Sequence, residues 1–208
     1  MDVKESQSAF MSALTTEHFV LQTAANATVT EAAARSSLYV YTLSSSLVAM
    51  GFASRSREVF VPFIAMVLPG LFLLGVFTVV RLVDTALWNM RLLGGIARIR
   101  SFYRTLTPEA EAYFADPRGR GPDSLRLGRL VAFLTTSASM IAFVNSLVAG
   151  AGVALLAGYF LSRETAFDVL LGVAAAAIHM AAFLAYQRWR FRIFELEEPR
   201  NDANIKKG

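Results

Sequence analysis

An all-α membrane fold with four transmembrane helices is what this sequence predicts, on three observations. Residues 36–54, 59–80, 130–162 and 169–187 contain no Asp, Glu, Lys or Arg, although the 208-residue chain holds 20 basic and 16 acidic side chains. Each run approaches or exceeds the ~20 apolar residues that a helix needs to cross a bilayer core. Composition agrees, with 55% hydrophobic residues and a mean hydropathy of +0.46, both high for a soluble domain.

The third observation is the placing of the basic residues. Arg81, Arg91, Arg98, Arg100, Arg104, Arg118, Arg120, Arg126 and Arg129 lie between the second and third runs, and Arg188, Arg190, Arg192, Arg200, Lys206 and Lys207 follow the fourth. The other two connections hold only Arg55, Arg57 and Arg163. Because cytoplasmic loops concentrate Lys and Arg, the middle segment and the C-terminus are expected inside, and four crossings put the N-terminus inside as well. The net charge of +4 reads as topology anchoring, since arginines that flank spans gain ~1 kcal/mol each from anionic headgroups. A nucleic-acid partner is not expected.

Taken in order, residues 1–15 are polar and expected to be flexible. From Thr16 an Ala-rich stretch without Gly or Pro favours helix, so residues 16–35 are expected to form a cytoplasmic or interfacial helix that runs on into the first span. The acidic residues Asp2, Glu5, Glu17 and Glu31 precede that span in place of a basic leader. It is therefore expected to be retained rather than cleaved. The second span starts near Pro62, where a first-turn proline is tolerated. It carries Pro69 and Gly70 at its centre, a candidate hinge because proline removes a helix hydrogen bond and crowds the preceding turn.

Residues 81–129 are expected to be cytoplasmic and largely helical. An amphipathic extension to about Leu106 is closed by Thr107-Pro108, and a short helix capped by Thr107 ends near Phe114. The loop DPRGRGPDS (residues 116–124) follows. The third run is 33 residues long, about 50 Å as a helix, against a hydrocarbon core of roughly 30 Å. It must tilt, or protrude at Thr135-Thr136-Ser137. The fourth fits one crossing, with Tyr186 and Trp189 at interfacial depth, and residues 188–208 form a cytoplasmic tail.

Aligned by depth, the run midpoints fall at Ser44–Ser46, Pro69-Gly70, Asn145-Ser146 and Ile178-His179. Unpaired polar groups are costly in hydrocarbon, so these residues should face each other or water. His179 is the one His in the four runs, which hold no Asp, Glu, Lys or Arg, and an ionisable group in a span is a functional-site hypothesis by default. Two readings stay open for the layer Ser37, Tyr41, Ser44, Ser45, Asn145, Ser146 and His179: interhelical packing or a conduit. The small residues Ala149, Gly150, Gly152, Gly172 and Ala174 to Ala177 are expected to allow close helix approach.

Catalysis is not expected, and neither is a cofactor or a metal. The chain has no Cys and two His, too few for a membrane zinc centre; no acid lies within the four runs, and no GxSxG or phosphate-binding loop occurs. Tetraspanin-like and claudin-like chains share the span number but have large Cys-bearing outer loops.

The segments EHFVLQTA (Glu17–Ala24), RIRSFY (Arg98–Tyr103) and FVNSLVAG (Phe143–Gly150) occur in this order among the spans. With them the chain resembles an uncharacterised family of small bacterial four-helix integral membrane proteins, from about Thr16 to the fourth span. The resemblance implies an architecture and a bacterial cytoplasmic membrane, with no activity attached. It also implies that Glu17, His18, Arg98, Arg100, Tyr103 and Asn145 matter, those outside the spans being candidate cytoplasmic contacts.

The functional expectation is a homo-oligomeric channel or pore-forming protein of unassigned selectivity. Its conduit would lie between subunits and be lined by the first span, where Ser37, Tyr41, Ser44, Ser45 and Val48 fall near one face. Channels with a cytoplasmically extended first helix offer a loose parallel, although their acidic outer filter has no counterpart beyond Glu58 beside Arg57. The alternative is a non-conducting adaptor or sensor whose cytoplasmic helices recruit a soluble protein or an anionic lipid.

Overall fold

The computed structural model describes residues 3–114, 136–161 and 165–205, and all secondary structure among them is helical. The helices are α1 (Val3–Ala53), α2 (Arg57–Arg104), α3 (Ala110–Tyr113), α4 (Ser137–Leu161) and α5 (Thr165–Ile205). The loop expected at 116–124 and the first residues of the third apolar run, 130–135, lie outside the described residues.

Helix α1 starts at Val3, which corrects the expected start at Thr16. Nothing between Val3 and Thr16 breaks a helix, and the hydroxyls of Thr15 and Thr16 donate back to the Met11 and Ser12 carbonyls at 2.9 and 3.0 Å. Helix α2 runs unbroken through both Pro62 and Pro69. The Thr107 hydroxyl accepts the Ala110 N–H at 3.2 Å ahead of α3, whose C-cap is Phe114. Helix α4 begins at Ser137, where the Thr136 hydroxyl accepts the Ser139 N–H at 3.2 Å. Its 25 residues make about 38 Å, so the described helix is shorter than the full uncharged run.

Among the described residues, three helical segments are long and apolar enough to cross a membrane: Arg57–Arg104, Ser137–Phe160 and Thr165–Phe194. The four-span count is corrected to three on this measure. Residues 36–53 are helical, but Ser36, Ser37, Tyr39, Tyr41, Thr42 and Ser44 to Ser46 dilute the apolar content below that of the other three. The helix that carries the last of these segments reaches beyond both ends of the run at 169–187, with Asp168 in its first turn.

Two compact units partition the chain. The first, Met1–Ala33 with Thr85–Ala132, pairs the early part of α1 with the late part of α2. Residues Met11, Leu14, His18, Leu21, Ala25 and Thr28 of α1 are at least partly buried, at the three- and four-residue spacing of a helix seam. Leu87, Leu92, Ile96 and Ile99 of α2 are buried. A Cβ at Gly95 would stand 3.0 Å from Leu21 Cδ1.

The second unit is Ala34–Asp84 with Phe133–Gly208. Within it α4 and α5 run antiparallel, because Ser139 meets Gln187, Ser146 meets His179 and Gly158 meets Asp168. Their backbones touch at Gly150 and Gly172: a Cβ on either glycine would lie 2.6 Å from the other's carbonyl oxygen. Both positions therefore require glycine, and the close approach expected of these two small residues is present. A Cβ at Gly152, by contrast, would make only an ordinary contact with Leu68, at 3.9 Å.

Candidate functional site

The second unit holds a buried polar seam built by α1, α2, α4 and α5. Tyr39 and Asn145 are both 0% exposed, and the Tyr39 hydroxyl donates to Asn145 Oδ1 at 3.2 Å. Helix α2 admits them by having no side chain at Gly75, where a Cβ would fall 2.0 Å from Asn145 Oδ1. Asn145 Nδ2 is buried and has no partner among the described residues.

At the next residue of α4, the Ser146 hydroxyl donates to the Ala142 carbonyl at 2.7 Å and lies 2.8 Å from His179 Nδ1. A hydroxyl has a single proton, and a carbonyl can only accept it. With its proton on the Ala142 carbonyl, the Ser146 oxygen is placed to accept from His179 Nδ1. Phe72 packs edge-on to that ring at 5.1 Å between centroids. At the end of α4 nearest its N-terminus, the Ser139 hydroxyl lies 3.3 Å from Gln187 Oε1, and Gln187 Nε2 donates to Thr136 Oγ1 at 3.4 Å. Arg190 of α5 pairs with Asp84 of α2 at the same end.

The predicted polar layer is thus divided. Asn145 and Ser146 are buried and His179 is half-buried, all with partners inside the unit. Ser37, Tyr41, Ser44 and Ser45 are exposed on α1, and Tyr41 is 70% exposed. Tyr39 and Tyr41 differ by two residues, ~200° of helix rotation, which turns one into the core and the other out. Ser45 donates to the Tyr41 carbonyl at 2.8 Å and Thr42 to the Leu38 carbonyl at 2.8 Å, so the outward face satisfies these hydroxyls locally. Pro69 and Gly70 are exposed on α2, and a Cβ at Gly70 would meet nothing within 4 Å.

In the first unit, His18 and Tyr103 come together at 6.4 Å between ring centroids, and Tyr103 continues to Phe114 at 5.3 Å. Phe10 and Phe102 meet edge-on at 5.7 Å. The expected contacts are otherwise dispersed: Glu17 and Arg98 are exposed and Arg100 is half-buried. His18 Nδ1 is buried and without a partner among the described residues.

Sequence reasoning missed Tyr39, Gly75, Asp84, Asp168, Gln187 and Arg190. For Asp168 and Gln187 the signal was spacing, because Asp168, Gly172, Ala176, His179, Phe183 and Gln187 recur every three or four residues and mark the face that α5 turns to α4. Asp168 is buried against Gly158, with Oδ1 unpartnered among the described residues. No group of three or more His, Asp or Glu side chains suited to a metal ion occurs among the described residues. Comparison with protein-family models, with curated proteins and with solved structures finds no match to this chain.

Proposed function

We propose that this chain forms a homo-oligomeric membrane channel or pore whose wall is the exposed face of α1. The observation that carries the reading is the orientation of Ser37, Tyr41, Ser44 and Ser45, which all point away from their own protomer. A helix diluted by serine and tyrosine gains little from facing lipid tails and more from water or from other polar surfaces. Inside the second unit, in contrast, Tyr39 pairs with Asn145, Ser146 with His179 and Ser139 with Gln187.

In this reading α1 is a fourth crossing completed by assembly, and both termini lie on the cytoplasmic side of a bacterial membrane. Reporter fusions test this directly: four crossings place the two termini on one side, three place them on opposite sides. Reconstitution into liposomes with an ion and small-solute flux assay tests conduction, and Ser45→Leu is expected to lower flux without loss of folded protein. A monomer in mild detergent that carries no solute at any applied potential would leave the adaptor reading. That reading draws its support from the exposed Phe19, Trp88 and Tyr113 in the first unit.

A further inference from the structure

We infer that one face of α5 is a binding site for an anionic phospholipid, with the phosphate held by Arg188 and Arg192 and an acyl chain laid along an alanine-floored stripe. The inference does not rest on the channel reading.

Among the basic side chains near the Gln187 end of α5, Arg190 is committed to Asp84 across the helix pair. Arg188 and Arg192 are exposed and neither has a hydrogen bond or ion pair among the described residues. They are four residues apart, so they stand one above the other on the helix surface. Trp189, 56% exposed, lies beside them and packs on Tyr186 at 6.3 Å between centroids. Two unpaired guanidinium groups next to an amphipathic aromatic ring complement a phosphate at the edge of hydrocarbon.

The same face continues towards the start of α5 as Ala185, Ala181 and Ala177, all exposed. Small side chains there leave the surface low. From Arg188 to Ala177 the helix rises about 16 Å, close to half of a roughly 30 Å hydrocarbon core. The stripe therefore has the length of one leaflet, with the charges at its headgroup end. Charge and length together favour a lipid over a second helix, which would need no cations at this point.

Trp189 supplies the readout. In a Trp88→Phe background, its quenching by brominated-chain phosphatidylglycerol is compared with quenching by brominated-chain phosphatidylcholine in reconstituted vesicles. The expected preference for the anionic lipid is about 30-fold, the effect of two headgroup-attracted arginines. It falls to about one in Arg188→Gln/Arg192→Gln. It persists in Arg55→Gln/Arg57→Gln, which removes equal charge elsewhere, and Ala181→Phe weakens quenching by blocking the chain path. Equal quenching by both lipids, or an equal loss of preference in the Arg55/Arg57 variant, overturns the proposal. Displacement by millimolar inorganic phosphate with no effect of Ala181→Phe assigns a free-phosphate site and overturns the lipid. A disulfide between copies carrying Ala181→Cys in native membranes overturns it too, by placing a second copy on the face. Matched unfolding midpoints establish that the variants are folded.

Discussion

Ser139, Asn145 and Ser146 on α4, and Ser37, Ser44 and Ser45 on α1, are similar side chains set in long helical runs free of charge. The first three are buried and bonded across to another helix. The second three face outward, and Ser45 bonds to its own backbone. The difference lies in the neighbours. Opposite α4 stand Tyr39, His179 and Gln187, groups with complementary donors and acceptors, and Gly75 and Gly172 let them come close. Among the described residues, nothing stands opposite Ser37, Ser44 and Ser45 on the outward face of α1. A polar group that reaches a partner strengthens one arrangement of helices, whereas one that bonds to its own turn is neutral to arrangement and remains available for a surface role.

The harshest way to break the interior side of this comparison is steric. Gly172→Ala places a methyl group 2.6 Å from a carbonyl oxygen and is expected to cost about 3 kcal/mol, at the upper end for overpacking, read as an earlier midpoint of detergent denaturation. Asn145→Leu comes next, at about 2 kcal/mol, because it strands the Tyr39 hydroxyl in the core. Removing both partners should be milder than the sum: in a cycle of Asn145→Leu and Tyr39→Phe, a coupling of about 0.6 kcal/mol is expected. Additive losses would show that the 3.2 Å contact contributes nothing. Ser45→Leu sharpens the other side, with a stability change within about 0.5 kcal/mol and a loss of flux. If Ser45→Leu destabilises as much as Asn145→Leu, the outward face of α1 is a packing surface and the contrast fails.

Much of the architecture was legible in the residues. The charge-free runs located helices, the Thr107 hydroxyl and Phe114 marked the short α3, and Gly150 with Gly172 indicated a close crossing. One boundary was misjudged because tertiary context outweighs local polarity. The polar segment before Thr16 is helical because its Met11 and Leu14 have a partner helix to pack against. The last helix begins ahead of its charge-free run and takes in Asp168, because a carboxylate can occupy the first turn of a helix, where the positive end of the peptide dipoles favours it. Of the site, Asn145, Ser146 and His179 stood out by depth, since polarity at mid-span is visible in one dimension. Tyr39 was not, because a tyrosine among serines and leucines looks the same whether it faces in or out.

What the sequence by itself determined is the set of helices and the apolar character of three of them, because hydropathy and the lack of helix breakers are properties of single segments. Pairing was decided only in three dimensions. Which hydroxyl meets which amide depends on rotation of each helix about its axis and on where glycines let backbones touch. A rotation of ~200° per two residues is enough to send Tyr39 into the core and Tyr41 outward.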